Sequence, residues 1–396
     1  MRITWVTRSF LDYRIPVFEE LDRLCGNQLT VIYNRECTTD ILTSKINSVL
    51  DARAIGMTGE FCIATTRKKN VTNDFANKGI RIPYQPGLLN AINESKPDVM
   101  VSDGFMQWTY APLLRRMWSE KVPHVMCYER TVHTERNCQW YRKLYRKWAM
   151  RHIDAYSVNG SLCGEYLEQL GAKKTQIFHG NMAADTEGIA NAVALISQEQ
   201  ANAFRAKLNI SGSLFLYVGQ LIPRKGVLEL LKAWKHAQME NATLLLVGDG
   251  TQREELQAYS RQWNLNTIFT GRIAYEDITK YYRIADVFVM PTLEDNWSLV
   301  VPEAMACGLP VACSKYNGCW PELVKPENGW VFDPLDLETF AMTLKKISAY
   351  DKSTLVQMGK AGQMLGQDFS PEKAAKAIYD CCEFAVESLK SSNDGK

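Results

Sequence analysis

Short, almost wholly apolar runs, each followed by a helical pattern, recur along the chain and limit what it can fold into. The runs are continuous rather than alternating, which is typical of strands buried on both faces of a parallel sheet. The repeated order of strand and helix predicts the α/β class. In the first half the predicted strands are Ile3–Val6, Leu29–Tyr33, Phe61–Ala64, Asp98–Ser102, His124–Tyr128 and Ala155–Val158. In the second half they are Leu214–Val218, Thr243–Val247, Thr267–Thr270, Asp286–Met290 and Pro310–Cys313.

The number of predicted strands indicates two domains, and a chain of 396 residues has room for both. Residues 181–213 carry Gly, Asn and Ser clusters around one polar helix, Gln198–Leu208, and are predicted to form a linker. The first domain is expected over residues 1–180 and the second over residues 214–370. Residues 371–396 are predicted to form a C-terminal helix that crosses back to the first domain.

Composition and charge argue against several classes of protein. Apolar residues make up 46% and charged residues 23%, which is typical of a globular chain. Lys plus Arg number 46 against 44 Asp plus Glu, so no basic excess points to nucleic acid as a partner. The 11 Cys show neither a CxxC pair nor zinc-ligand spacing, which favours a reducing compartment. No apolar run approaches the roughly 20 residues that a membrane span needs, so the expected location is cytoplasmic.

Two loops of the second half combine glycines with charged residues. In open α/β sheets, ligands bind at the carboxyl ends of the strands. The loop after the first of these strands places Arg224 and Lys225 at a predicted helix start, which suits an anionic group. The loop after the next strand begins with Gly248 and Asp249, where a missing side chain lets a ligand approach the backbone. Taken alone, the first pattern is more typical of a solvated turn, and the second is weak because a single GxG is common. The second is also not a dinucleotide fingerprint.

The loop after Asp286–Met290 carries the most informative pattern. Ser298 is predicted to cap a helix over Leu299–Cys307, which leaves the first backbone N–H groups of the helix available to phosphate oxygens. Glu303 lies about one turn further, where its carboxylate can accept hydrogen bonds from a vicinal diol such as ribose. Asp295 precedes the cap and is expected to face the group attached beyond the phosphates.

The stretch from Leu214 to Pro334 resembles the donor-binding domain of the retaining glycosyltransferases of the GT-B fold, family 4. The matching pieces, in order, are YVGQLIPRKG, LLLVGDG, FTGRI, ADVFVMPTLEDNWSLVVPEAMACGLPVACS and NGWVFDP. The resemblance implies two Rossmann-like domains that face each other across a donor cleft. It also implies a nucleotide-diphospho-sugar donor, most simply a UDP- or GDP-sugar, and transfer with retention at the anomeric carbon.

The resemblance assigns donor-binding roles residue by residue. Arg224 and Lys225 would bind the diphosphate, Glu303 the ribose hydroxyls, and the backbone of Arg272-Ile273 the base. The implied donor-binding residues are Gly219, Arg224, Lys225, Gly248, Asp249, Arg272, Ile273, Asn296, Trp297, Ser298, Leu299 and Glu303. No metal site and no cofactor are expected, because the chain has no DxD triplet or aspartate cluster to supply oxygen ligands.

The sequence departs from the family pattern at two positions of the donor site. The family has a pair of acids with seven residues between them and Glu first, whereas here the acid at that distance before Glu303 is Asp295. Asp295 is therefore expected to be the catalytic acid near the sugar, and Glu294 is one residue too far from Glu303. Gln220 stands where many members have Arg, a charge that Arg224 could supply.

The first half of the chain matches the family more loosely. After the strand His124–Tyr128 many members have a His that faces the donor sugar, and Glu129 stands at that position here. Glu129 is expected to be a second catalytic residue in contact with the sugar. His133 follows in the same loop, and a lone His of this kind is more often structural.

The predicted helix Arg136–Ile153 interleaves cations with aromatic residues and contains no acid. The cations are Arg136, Arg142, Lys143, Arg146, Lys147 and Arg151, and the aromatic residues are Trp140, Tyr141, Tyr145 and Trp148. One interpretation is peripheral contact with an anionic membrane, at the inner face of the plasma membrane, or with a lipid-linked acceptor. The other is a helix that packs its aromatic residues on the sheet and solvates its cations.

The function indicated is transfer of a hexose from a nucleotide sugar to a glycan or lipid-linked acceptor, in surface polysaccharide, lipopolysaccharide or glycolipid synthesis. Two alternatives remain, a nucleotide-sugar 2-epimerase of GT-B architecture and a catalytically silent nucleotide- or carbohydrate-binding protein. A dinucleotide oxidoreductase is disfavoured by the missing fingerprint.

Overall fold

The computed structural model describes two compact units. The described residues are 1–65, 81–105, 107–119, 121–184, 186–210 and 212–394. Unit 1 contains the described residues up to Ala183 together with the C-terminal segment from Pro371, and unit 2 is Ala184–Ser370. Each unit is built on a parallel sheet with helices alternating between its strands, so the predicted α/β class is confirmed.

Unit 1 is built on a seven-stranded parallel sheet in the order β3-β2-β1-β6-β7-β8-β9. Its strands are β1 (Ile3–Val6), β2 (Leu29–Asn34), β3 (Ala54–Met57), β4 (Phe61–Thr65), β5 (Arg81–Tyr84), β6 (Val99–Asp103), β7 (His124–Tyr128), β8 (Ala155–Val158) and β9 (Ile177–His179). Its helices are α1 (Arg14–Leu24), α2 (Asp40–Leu50), α3 (Leu88–Glu94), α4 (Tyr110–Trp118), α5 (Trp140–Ala149), α6 (Ser161–Leu170) and, from the C-terminus, α16 (Pro371–Asp394).

Unit 2 is built on a six-stranded parallel sheet in the order β12-β11-β10-β13-β14-β15. Its strands are β10 (Ser213–Val218), β11 (Ala242–Val247), β12 (Thr267–Gly271), β13 (Val287–Met290), β14 (Val311–Ser314) and β15 (Gly329–Phe332). Its helices are α7 (Thr186–Ala194), α8 (Gln198–Lys207), α9 (Val227–His236), α10 (Arg253–Gln262), α11 (Thr279–Ile284), α12 (Val300–Ala306), α13 (Trp320–Leu323), α14 (Leu337–Ser348) and α15 (Lys352–Gly366).

One predicted strand lies outside the parallel sheets. Phe61–Ala64 falls in β4, which pairs antiparallel with β5 to form a separate two-stranded sheet. Phe61 and Ile63 are 53% and 64% exposed, so this apolar run does not mark a strand buried on both faces. The short strands β3, β5, β9 and β15 were not predicted.

The segment expected to be a linker is a folded part of unit 2. It holds α7 and α8, of which α7 packs against α11 and α12 and α8 packs against α11. Ile189 and Val193, four residues apart on α7, are buried, and this spacing places them on one face of the helix. The linker prediction was wrong for this segment because its polar composition outweighed two apolar positions.

The C-terminal helix α16 packs within unit 1. Its contacts are with α1 and with the strands β6, β7, β8 and β9. Ala374, Ile378, Cys381 and Ala385 are buried and recur every three or four residues, which gives the helix one continuous apolar face. None of the helices that the structure describes is both long enough and apolar enough to cross a bilayer.

Candidate functional site

Two loops of unit 2 meet at the carboxyl edge of the sheet. They follow β10 and β13, which are parallel neighbours and therefore end at the same edge. The Arg224 carbonyl accepts hydrogen bonds from the backbone N–H groups of Leu293 at 2.8 Å and Glu294 at 3.2 Å. Gly226 has φ +68°, and a Cβ there would lie 2.1 Å from the Pro291 carbonyl oxygen. Only glycine at position 226 lets the two loops come this close. Their contact brings Arg224 and Lys225 of the first loop near Asp295 of the second.

Asp295 is the centre of a hydrogen-bonded network between these loops. Its Oδ2 accepts hydrogen bonds from the Lys225 ammonium group and, at 2.6 Å, from the Ser298 hydroxyl. Its Oδ1 accepts from the backbone N–H of Trp297 at 3.3 Å. The Lys225 and Asp295 side chains are 13% and 12% exposed, so the ion pair is largely screened from water but still reaches the surface.

The environment of Asp295 keeps its carboxylate charged. Burial tends to raise the pKa of Asp295, but the charge and hydrogen bond of Lys225 act against it, with smaller contributions from Ser298 and Arg224. The result is a pKa below the ordinary value of an aspartate. The site therefore presents a negative charge beside two cations at neutral pH.

Asn317 supports this network from the loop after β14, and no local pattern in the sequence indicated this role. Its Oδ1 accepts hydrogen bonds from the backbone N–H groups of Ser298 at 3.3 Å and Cys319 at 3.4 Å. The backbone N–H of Gly318 donates to the Asp295 carbonyl at 3.0 Å. A third loop thus fixes the backbone on either side of the carboxylate.

Ser298 is not the helix cap that the sequence predicted. The helix α12 begins at Val300, Leu299 stands at its N-cap, and the Ser298 hydroxyl donates to Asp295. The Val301 N–H, expected to be available to phosphate, donates to the Ser298 carbonyl at 3.1 Å. The physical reason is that a charged carboxylate is a stronger partner for a hydroxyl than a neutral backbone N–H.

Glu303 lies in α12 and is 9% exposed. Its Oε2 accepts a hydrogen bond of 3.1 Å from the hydroxyl of Tyr282, a fully buried residue of α11. Burial, followed by the charge of Glu303, raises the pKa of Tyr282 well above its ordinary value, so the phenol remains a donor. Sequence reasoning missed Tyr282, because an aromatic residue in a short helix before a strand is typical of the core.

The glycine-rich loops pack against each other. A Cβ on Gly248 would lie 1.9 Å from the Gly219 carbonyl oxygen, so the missing side chain at Gly248 serves contact between the loops. The Asp249 carboxylate accepts from the Gly250 N–H at 2.8 Å and pairs with Arg253 at 3.4 Å.

The remaining expected donor residues differ in exposure. Arg272 is exposed and Ile273 half-buried just after β12, and Asn296 is half-buried beside Asp295. The Trp297 ring is 6% exposed and packs on Phe369, with 6.1 Å between ring centroids. Its backbone N–H, rather than its indole, takes part in the Asp295 network.

Glu129 lies in unit 1, just after β7. Its side chain is 41% exposed, and Oε1 is 3.7 Å from the guanidinium group of Arg14. Arg14 is buried, lies over the Trp5 ring at 5.5 Å and donates to the Asn181 carbonyl at 2.9 Å. Arg14, which sequence reasoning did not single out, therefore places a buried positive charge beside Glu129.

The predicted basic helix corresponds to α5, which is shorter than predicted and has one of its cations buried. It begins at Trp140, and Arg146 is buried, donating to Glu135 at 2.8 Å and to the Tyr166 hydroxyl at 2.6 Å. Trp140 and Leu144 are 73% and 59% exposed, so packing of all the aromatic residues on the sheet is excluded. The exposed residues of α5 are Trp140, Tyr141, Lys143, Leu144, Lys147 and Trp148.

Within the part of the chain that the structure describes, no group of three His, Cys, Asp or Glu side chains is arranged to hold a metal ion. The buried histidine His124 shares a hydrogen bond of 2.7 Å with the Ser102 hydroxyl. It lies at the start of β7, on the opposite edge of the sheet from Glu129.

Comparison with known proteins finds that part of the chain is similar to one family. Residues 199–364 match the family described as glycosyl transferases group 1. A sulfoquinovosyl transferase from Arabidopsis thaliana is 32% identical over 153 residues, which are 38% of this chain and 29% of that protein. A GDP-mannose-dependent monoacylated alpha-(1-6)-phosphatidylinositol monomannoside mannosyltransferase from Corynebacterium glutamicum is 31% identical over 176 residues, 42% of this chain and 46% of that protein. The chain thus spans less than half the length of these two relatives.

A solved structure extends the similarity to the whole chain. The Anabaena Alr3699/HepE structure in complex with UDP superposes with a TM-score of 0.70 at 16% identity, covering 96% of this chain and 99% of that one. At this identity the similarity shows the fold. The expected GT-B architecture of two Rossmann-like domains is confirmed.

Proposed function

Because residues 199–364 of this GT-B chain match the family described as glycosyl transferases group 1, we propose that the protein is a retaining, metal-independent glycosyltransferase of family 4. It moves a hexose from a nucleotide-diphospho-sugar, a UDP- or GDP-sugar, to a glycan or lipid-linked acceptor. The pathway proposed is surface polysaccharide, lipopolysaccharide or glycolipid synthesis.

The observation that carries this proposal is the network of Lys225, Asp295 and Ser298 beside Arg224. Two cations at the carboxyl edge of a parallel sheet suit the two phosphates of the donor. In this structure the Lys225 ammonium pairs with Asp295, and the donor diphosphate would share that ammonium. Arg224 and Lys225 would then balance the negative charge that grows on the diphosphate as it leaves, the role that a metal ion plays in other transferases.

The ionised Asp295 supplies the complementary charge on the sugar side. Positive charge develops at the anomeric carbon as the bond to the diphosphate breaks. A fixed carboxylate nearby stabilises that charge without having to reorganise at the moment of reaction. The hydrogen bonds from Ser298 and Trp297 hold the carboxylate in place. Glu129, which lies beside the Arg14 guanidinium group, is proposed to contact the donor sugar.

The other donor contacts are proposed by position. Glu303 would accept hydrogen bonds from the ribose hydroxyls, and the backbone of Arg272 and Ile273 would face the base. Further contacts are proposed from Gly219, Gly248, Asp249, Asn296 and Leu299.

A thermal-shift panel of UDP, GDP, ADP and CMP sugars tests the donor proposal. A ligand at 100 times its dissociation constant should stabilise the fold by about 2.7 kcal/mol, and the shift should survive EDTA. If binding is lost in EDTA and restored by Mn²⁺, the metal-independent mechanism is wrong. Turnover of the bound donor without any acceptor would indicate a 2-epimerase, and binding without turnover a silent binding protein.

Peripheral membrane contact is proposed through the exposed face of α5. Trp140, Leu144 and Trp148 offer apolar surface, and Lys143 and Lys147 offer charge beside it, a combination that suits an anionic bilayer. The mannosyltransferase relative carries a phosphatidylinositol monomannoside in its name, which supports a lipid-linked acceptor. This contact would place the protein at the inner face of the plasma membrane.

Vesicle sedimentation at low salt tests this contact. The pair Lys143→Gln and Lys147→Gln should weaken binding to phosphatidylglycerol vesicles by about 1 kcal/mol per charge. Lys345→Gln with Lys346→Gln is the matched control, since these two exposed cations lie on α14 of unit 2. Absence of wild-type sedimentation, or equal loss in both pairs, would show that the α5 face is simply solvated.

A further inference from the structure

The hydrogen bond between Tyr282 and Glu303 joins two helices of unit 2 beneath the donor loops. Tyr282 lies in α11 and is fully buried, and its hydroxyl donates to Oε2 of Glu303 in α12 at 3.1 Å. The helix α7 packs against both α11 and α12. The distance between the phenol and the carboxylate is therefore fixed by packing on each side of the pair.

The Tyr282 ring has little freedom to turn away from Glu303. It is 0% exposed and packs on Phe288 of β13 at 6.2 Å between ring centroids. A carboxylate offers roughly four acceptor sites, and the phenol occupies one of them. Fixing one oxygen of the group also fixes the direction in which the remaining acceptor sites point.

We propose that Tyr282 is a positioning residue for nucleotide recognition: its hydroxyl orients the Glu303 carboxylate toward the ribose hydroxyls and so sets the preference for ribose over deoxyribose nucleotides. This rests on the proposed role of Glu303. The two hydroxyls of a diol can donate hydrogen bonds to one carboxylate only if both groups are aligned, because hydrogen bonds weaken steeply away from linearity. Tyr282 itself does not touch the nucleotide.

The competing explanation is structural. A buried tyrosine needs a hydrogen-bond partner for its hydroxyl, and Glu303 could serve only that need. In that case, loss of the hydroxyl would change stability without changing the choice between nucleotides. The two explanations therefore predict different binding data for the same variant.

The test compares a ribonucleoside diphosphate with its 2′,3′-dideoxy analogue by calorimetry. The probe is UDP or GDP, whichever binds the full chain. Wild type should prefer the ribose form. Tyr282→Phe keeps the ring and its packing on Phe288, and should weaken the ribose form about tenfold, or about 1.4 kcal/mol. Its affinity for the dideoxy form should change less than twofold.

Two further variants complete the design. Tyr281→Phe is the matched control, because the neighbouring ring packs on Phe204 at 5.3 Å, and it should bind both nucleotides as wild type does. In Glu303→Gln, addition of Tyr282→Phe should cause little further loss, since residues that act through one another are not additive. Full additivity of the two losses would overturn the inference, and so would equal weakening of both nucleotides by Tyr282→Phe.

The design separates this inference from the proposed function. If wild type prefers ribose and Tyr282→Phe keeps that preference, only the positioning role is wrong. If wild type binds the ribose and dideoxy forms equally, Glu303 does not contact the ribose, and the positioning role is refuted with it. If neither UDP nor GDP binds, both the donor proposal and this inference are wrong.

Discussion

The substitution Asp295→Asn tests whether catalysis depends on the negative charge of Asp295 rather than on the shape of its side chain. The substitution keeps the shape of the side chain and an oxygen that accepts from Ser298, but it removes the negative charge beside Lys225. Loss of a fixed group that stabilises developing charge should lower kcat by about 100- to 1000-fold. Donor KM should stay within a few-fold, because the lysine keeps its charge for the diphosphate.

The same substitution has a cost in stability that follows from the burial of the pair. Removing one partner of a buried ion pair costs about 3–5 kcal/mol. Because the Lys225 and Asp295 side chains are 13% and 12% exposed, and asparagine still accepts a hydrogen bond, we expect about 2–3 kcal/mol. A bound nucleoside diphosphate should restore part of that loss, since its phosphates supply a new partner for Lys225.

The assay is steady-state transfer with the donor found in the thermal-shift panel, together with urea unfolding. Asp286→Asn is the matched control: Asp286 pairs with Arg205 at 3.1 Å, with side chains 13% and 21% exposed, at the opposite end of β13. Asp286→Asn should lower the free energy of unfolding by about as much as Asp295→Asn does, but it should leave kcat unchanged. Wild-type kcat in Asp295→Asn, or the same fall in Asp286→Asn, would refute the catalytic assignment.

Three further predictions concern the single residues His124, Gly226 and Glu303. Burial lowers the pKa of His124 from 6.5 to about 4, so only the unfolded chain takes up that proton readily. Stability should therefore fall by about 3 kcal/mol as pH drops from 6.5 to 4, and His124→Gln should flatten this fall in urea titrations. Gly226→Ala should lower stability by about 2 kcal/mol or more and weaken nucleotide binding, because its Cβ would meet the Pro291 carbonyl oxygen; Gly26→Ala, at φ +73° with open space around it, should keep binding intact. Glu303→Ala should raise donor KM more than it lowers kcat, the result of lost uniform binding, and an equal fall in kcat would count against the ribose contact.

Most of the strands, and the similarity of the second half to the glycosyl transferases group 1, could be predicted from the sequence because both depend on local pattern. Ile3–Val6 and His124–Tyr128 were predicted to the residue, since a buried parallel strand is a continuous apolar run. Phe61–Ala64 has the same pattern but lies in an exposed antiparallel pair. Apolar composition alone does not distinguish the two environments.

Contacts between distant residues could not be predicted in the same way. Lys225 and Asp295 are 70 positions apart in the chain, and only the pairing of β10 with β13 brings them together. Ser298 has the features of a helix cap in the sequence, but its hydroxyl donates to Asp295, three residues earlier, whose carboxylate is paired with the distant Lys225. Arg146 likewise has the sequence features of a solvated cation, but in the structure it is buried and paired with Glu135.

The discontinuity of unit 1 has a consequence for the order in which the protein can be completed on the ribosome. The core of unit 1 includes Ala375, Ile378 and Cys382 of α16 beside Trp5 and other residues of the first strands. Among the residues that the structure describes, unit 2 is by contrast one continuous segment. Domains fold as units during synthesis. Unit 2 can therefore finish folding before α16, which completes the core of unit 1, has been made. The N-terminal strands, made first, would expose apolar surface until α16 has been made, and truncations before Pro371 should therefore leave the first half, rather than the second, prone to aggregation.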